Sequence, residues 1–259
     1  ARRPDRWTSI DLCAAFYPHP VLVRLSDLKS NEYRKLMGGR ILEPQEENPM
    51  IAWRGASRYV DDQFSVAFDM ECDALRMVRQ TFGLDNLQLM VPFCRTPEEG
   101  ERVVSLLDQH GLSPQAGVPL YLMVELPSNV IEADRFIQRM HLSGGSIGSN
   151  DLVQTVYAIS RDDLQRYETP VDARSPAVKA MIAHAVSAFK ARDLEIGICG
   201  QAPSDYPDEV PRFIIGCGIT SISVTPDTVV VVRHNVAATE AEAECEDHPA
   251  VKAGCRHDG

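Results

Sequence analysis

Short apolar runs alternate with longer stretches of helical periodicity along the chain. The strand-like runs are Val21–Arg24, Leu87–Val91, Leu120–Val124, Gly145–Gly148, Ile196–Cys199 and Ser221–Val224. Most are too short and too apolar for strands with one wet face, and they fit a parallel sheet covered on both faces. The stretches between them carry helix signals. Thr96-Pro97-Glu98-Glu99 reads as an N-cap, a proline at N1 and a capping-box glutamate at N3. Val103, Val104 and Leu107 then point inward, and Gly111 stops the helix. Ser175-Pro176 opens a second helix with Val178, Ile182, Ala185, Val186 and Phe189 on one stripe. A third is predicted from about 61 to 82, with Phe64, Phe68, Leu75 and Val78 at helical spacing. Repeated βα units of this kind predict a doubly wound sheet or a (β/α)₈ barrel. From about Ala238 the chain turns acidic and then mixed, without periodicity or apolar content. Residues 238–259 are therefore expected to be a disordered or frayed tail behind one domain over residues 1–237.

Composition narrows the function classes. A chain of 259 residues can bury a sizeable core, and single α/β barrels run to this length. With 44% hydrophobic and 24% charged residues it has the balance of a globular protein. No apolar run approaches a membrane span, so no membrane partner is expected. The opening Ala-Arg-Arg-Pro has no apolar core of a secretory signal, and the missing initiator Met fits processing or truncation. The net charge of −11 argues against a nucleic-acid partner, which would need clustered lysines and arginines. A small anion remains possible, because a few arginines in a cleft override the global charge. The seven cysteines are odd in number and show no CxxC spacing, which points to a reducing cytoplasm and away from disulfides or zinc.

The informative polar residues follow the apolar runs. Arg24 ends the first, Glu125 follows the third, Asn150-Asp151 follow the fourth, and Cys199-Gly200-Gln201 close the fifth. In a parallel barrel these positions gather at the C-terminal mouth, where active sites sit. Two carboxylates there, Glu125 and Asp151, with no histidine beside them, suit Mg²⁺ or Mn²⁺ rather than zinc. Equally, each could cap the next helix or pair with an arginine, and spacing leaves both readings open. Arg24 and Arg54 could clamp a phosphate or carboxylate with two-point hydrogen bonds, or sit in ordinary ion pairs. Cys199, in Gly197-Ile-Cys-Gly200, could be an acid/base, a nucleophile or a small buried hydrophobe. Gly216-Cys-Gly218 lacks the third glycine of a dinucleotide fingerprint, and no phosphate-binding P-loop marks an ATP site.

The same residues carry a family resemblance. Val23-Arg24-Leu-Ser-Asp27-Leu-Lys-Ser-Asn-Glu-Tyr33 and Glu46-Glu-Asn-Pro-Met50 with Arg54-Gly-Ala-Ser-Arg-Tyr59 resemble segments of phosphoenolpyruvate synthases. So do Met90-Val-Pro-Phe93-Cys-Arg-Thr96, Glu125-Leu-Pro-Ser-Asn129, Ser146-Ile-Gly-Ser-Asn-Asp151, Gly197-Ile-Cys-Gly-Gln201 and Ser223-Val-Thr-Pro-Asp227. The segments follow one another in order from about residue 15 to 235. The likeness is to the C-terminal phosphoenolpyruvate/pyruvate-binding barrel of that family.

It implies a TIM-type (β/α) barrel that begins two βα units late, with six strands. Glu125 and Asp151 would ligate Mg²⁺, which as a Lewis acid would stabilise the enolate of pyruvate. Cys199 would exchange the proton at the methyl carbon. Arg24 and Arg54 would neutralise the phosphoryl group in transit. Gly148, Ser149 and Asn150 would orient the substrate carboxylate. The phosphoryl group would arrive from a phosphohistidine domain charged by an ATP-binding domain, neither of which this sequence contains, and a homodimer is expected. Two other readings are a free-standing Mg²⁺-dependent lyase or aldolase, and a catalytically degenerate binding or dimerisation domain.

Overall fold

The computed structural model describes residues 4–160 and 171–247. Among these the strand order along the sheet is β1-β2-β3-β4-β5-β6, and sequence neighbours are sheet neighbours throughout. Such an order, with helices between the strands, is the βα pattern of an α/β barrel-type fold. The chain divides into two compact units, Ala1–Ser146 and Ile147–Gly259.

The first unit opens with α1 (Pro4–Phe16) and β1 (Val21–Arg24). It continues with α2 (Ser65–Gln80), β2 (Leu87–Val91), α3 (Pro97–Gln109), β3 (Leu120–Val124) and α4 (Ala133–Met140). β1, β2 and β3 pair in parallel, with Val21 opposite Leu87 and Leu89 opposite Leu120. Every residue of β3 is buried, as a run of Leu-Tyr-Leu-Met-Val requires. α3 starts where its signals placed it: the Thr96 hydroxyl accepts from the Glu99 amide and Pro97 occupies the first turn. The Glu99 carboxylate accepts from the Arg95 amide at 2.6 Å. α2 begins at Ser65 rather than 61. The Asp61 carboxylate accepts from the Gln63 amide at 2.9 Å, closing a local turn that competes with helix.

The second unit continues from β4 (Gly144–Gly148), which spans the division, directly into α5 (Ser149–Tyr157). α6 (Pro176–Lys190), β5 (Glu195–Cys199), α7 (Glu209–Cys217), β6 (Ser221–Ile222) and α8 (Val229–Asp247) follow. The predicted stripe of α6 is buried from Val178 to Phe189. β5 and β6 pair in parallel, with Gly197 opposite Ser221. A Cβ on Gly197 would lie 2.3 Å from the Ser221 hydroxyl, which would have to shift to admit it. β6 is shorter than the predicted Ser221–Val224, although the Ser223 amide still reaches the Ile198 carbonyl at 2.9 Å.

The expected tail over residues 238–259 is described in part. Residues 238–247 belong to α8, and residues 248–259 lie outside the described ones. The Ala/Glu-rich run favours helix by intrinsic propensity even where no apolar stripe marks it. An ion pair from Arg212 to Glu242 at 2.7 Å joins α7 to this stretch.

Candidate active site

The C-terminal strand ends carry the polar residues. In the first unit, Arg24 is the last residue of β1 and half-exposed, 3.6 Å from the buried Asp27 carboxylate. Asp27 in turn holds Arg54 in a two-point fork: Nε donates to Oδ1 at 3.0 Å and Nη2 to Oδ2 at 2.5 Å. Arg54 is 4% exposed, and its Nη1 donates to the Met50 carbonyl at 3.3 Å. A buried charge is costly to leave unpaired, and this carboxylate compensates the guanidinium.

Glu125 follows β3 and is 2% exposed. Its Oε1 accepts from the Phe93 backbone amide at 2.7 Å. Asn129, in the short helix Pro127–Ile131, fixes the strand tip. Its side-chain oxygen accepts from the Glu125 and Leu126 amides at 3.2 and 3.0 Å, and its Nδ2 donates to the Cys94 carbonyl at 2.7 Å. The ends of β2 and β3 are thereby tied through one buried amide. Asp27 and Glu125 bring carboxylate oxygens within 4.8 Å of each other. Two hard anionic oxygens at that spacing, with no thiolate or imidazole between them, could hold a divalent cation of the magnesium kind.

Three residues absent from the predicted site belong to its surroundings. Asp27 lies just past β1 in the Arg-Leu-Ser-Asp segment; a charge so close to an apolar strand end is the signal that could have found it. Phe93 stacks its ring under the Arg54 guanidinium at 3.9 Å, and Arg95 lies 4.9 Å from the same ring. Arg95 is tethered to the Ile51 and Ala52 carbonyls and to the Ser57 hydroxyl. Burial lowers its affinity for the proton below the ordinary arginine value, with Glu99 opposing and Arg54 adding to the effect. Arg58, four residues after Arg54, does something different. Fully buried, it forks onto Glu43 at 2.9 and 2.6 Å and packs on the rings of Trp53 and Tyr33 at 4.0 and 4.5 Å. It builds the wall rather than the site.

In the second unit, β4 ends at Gly148 and α5 starts at once. The buried Ser149 hydroxyl donates to the Cys199 carbonyl at 2.9 Å, and the Asn150 side-chain oxygen accepts from the Gln201 amide at 3.4 Å. The ends of β4 and β5 are thus cross-linked. Gly200 makes this possible: its φ is +106°, and a Cβ there would lie 2.3 Å from the Ser149 hydroxyl. Asp151 sits in the first turn of α5, and its Oδ1 accepts from the Gln154 side-chain Nε2 at 2.9 Å. Cys199 is a half-buried cysteine at the tip of β5. Ser149, Asn150 and Cys199 are therefore brought together within this unit, as Arg24, Arg54 and Glu125 are around Asp27 and Phe93 within the first.

A family described as PEP-utilising enzyme, PEP-binding domain matches residues 8–241. The chain belongs to this family. It is 50% identical over 220 residues to the phosphoenolpyruvate synthase of Aquifex aeolicus (strain VF5), covering 85% of this chain and 25% of that one. To the phosphoenolpyruvate synthase of Synechocystis sp. it is 50% identical over 230 residues, 88% of this chain and 28% of that one. To that of Escherichia coli K12 it is 46% identical over 220 residues, with 85% and 27% covered. The chain thus spans about a quarter of the length of these PEP-utilising relatives. Among solved structures it resembles RipC from Yersinia pestis, with a TM-score of 0.51, 11% identity, and 89% of this chain and 80% of that one covered. A citrate lyase from Burkholderia xenovorans LB400 matches with a TM-score of 0.51 and 13% identity, covering 95% and 78%. At these identities the likeness shows the fold alone, and it agrees with the TIM-type α/β architecture.

Proposed function

We propose that this chain is the substrate-binding catalytic part of a phosphoenolpyruvate synthase, where phosphoenolpyruvate is made from pyruvate and a phosphoryl group carried by a histidine of another domain. The observation that carries the reading is the placement of its residues. Arg24 and Cys199 are the last residues of β1 and β5, Glu125 follows β3, and Gly148-Ser149 join β4 to α5. Barrel enzymes do their chemistry at these strand ends.

Glu125 and Asp151 are the proposed magnesium ligands, with Asp27 beside Glu125 but committed to Arg54. Bound there, the cation would stabilise the negative oxygen that develops as the substrate methyl group loses a proton. The protein's own groups do the rest. Cys199 takes that proton from the methyl carbon, or returns it in the reverse direction. Ser149, Asn150 and the Gly148 backbone hold the substrate carboxylate. Arg24 and Arg54 neutralise the phosphoryl oxygens during transfer, Arg54 from a guanidinium already oriented by Asp27. The phosphohistidine and ATP-binding domains, a homodimeric assembly and a cytoplasmic setting belong to the same proposal.

Calorimetric titration with Mg²⁺ and oxalate, a planar mimic of the pyruvate enolate, tests it. Metal-dependent oxalate binding is expected, and Glu125→Gln or Asp151→Asn should abolish it. Unchanged affinity in both variants would refute the assignment.

A further inference from the structure

Phe93 is the residue where the two halves of the first unit's chemistry meet. It is 1% exposed and its φ is +45°, in the left-handed region that phenylalanine rarely enters. Backbone strain of this kind persists only where the surroundings hold it, and it clusters at functional sites. The surroundings are on hand. Gly55, itself at φ +57°, presses against it: a Cβ on Gly55 would lie 2.6 Å from the Phe93 Cβ and 2.7 Å from the Pro92 carbonyl oxygen. The Ala56 amide donates to that same carbonyl at 3.2 Å. On the other side, Asn129 grips the Cys94 carbonyl.

The left-handed turn has two consequences. It aims the Phe93 backbone amide at Glu125 Oε1, 2.7 Å away. It also places the ring centre 3.9 Å from the central carbon of the Arg54 guanidinium, whose edge is forked on Asp27. A ring face attracts a cation, and in a site closed to water that attraction is at its strongest. In an ordinary β or α conformation the same residue could not serve both partners in this arrangement.

We infer that Phe93 is a positioning residue, its amide orienting the carboxylate of Glu125 and its ring orienting Arg54 toward the phosphoryl group. The inference rests on the proposed function for what Arg54 binds, but not for the contact itself. The two tasks separate experimentally. Phe93→Gly keeps the left-handed backbone without strain, and so keeps the amide on Glu125, while deleting the ring. Phe93→Leu keeps apolar volume and loses the π face.

The experiment combines calorimetry in Mg²⁺ with the ¹⁵N–¹H spectrum of the arginine Nε–H groups. Phosphoenolpyruvate and oxalate are the probes, the second lacking a phosphoryl group. In both variants phosphoenolpyruvate affinity should fall tenfold or more while oxalate affinity stays within twofold, and the Arg54 Nε–H resonance should lose its ring-current shift. Equal losses for both ligands would mean general damage and would overturn the inference. So would an unmoved Arg54 resonance with phosphoenolpyruvate affinity within twofold of the parent. Should the parent chain bind neither ligand, the proposed function falls, and the Arg54 resonance in the two variants alone decides whether Phe93 orients it.

Discussion

At the scale of single residues, the same amino acid takes opposite roles four positions apart. Arg54 and Arg58 share one short segment, yet Arg54 forks onto Asp27 beside Glu125, and Arg58 is sealed among Trp53, Tyr33 and Glu43. Their environments differ, not their chemistry. Arg54→Lys should therefore cost about 1.5–3 kcal/mol, since a lysine makes one hydrogen bond to Asp27 where the fork makes two to a charged group. Phosphoenolpyruvate affinity measured by calorimetry should also drop, by about tenfold or more, because an ammonium cannot make the planar two-point contact of a guanidinium. Gly200 is the second test at this scale. In Gly200→Ala a methyl group would collide with the Ser149 hydroxyl, and alanine would be forced into a left-handed conformation worth about 1–3 kcal/mol of strain. A melting temperature lower by several degrees and weakened oxalate binding are expected.

At the scale of elements, the strand ends are joined by side chains rather than by the sheet alone. Asn129 caps the tip of β3 and holds the loop after β2 in the first unit; Ser149 and Asn150 hold the loop after β5 in the second. Asn129→Ala would leave the Leu126 amide and the Cys94 carbonyl without this buried partner, at about 1–3 kcal/mol for each group. The loss should appear as faster hydrogen exchange at the Glu125 and Leu126 amides. The strands, the Thr96 cap of α3 and the start of α6 at Ser175-Pro176 were legible in advance, because apolar runs and Thr-Pro or Ser-Pro starts are local signals. The late start of α2 was not, because the turn at Asp61 competes with a helical stripe that looks continuous. Nor was α8, whose signal is propensity rather than periodicity.

At the scale of the whole molecule, two buried cysteines and one buried tyrosine bear on the response to alkali. Burial pushes the Cys72 and Cys94 thiols and the Tyr59 phenol up, each assisted by nearby carboxylates. A group whose folded value is raised stays neutral in the fold while the unfolded chain ionises. Its stabilising contribution is complete below the ordinary thiol and phenol values and is lost as pH rises through the folded ones. Stability followed by circular dichroism should thus hold to about pH 9 and fall above it; a flat profile to pH 11 would contradict the burial of these groups. Among the described residues no helix is long and apolar enough to cross a membrane. The sequence by itself determined the alternation of strands and helices, the family and the identity of the residues at the strand ends, since each of these is written in contiguous stretches of chain. Tertiary structure alone decided that Asp27 holds Arg54, that Arg58 is walled in, and that Phe93 turns left-handed to face Glu125 and Arg54 together. Those outcomes depend on groups that lie many residues apart in the chain, and spacing along a sequence carries no distance across a fold.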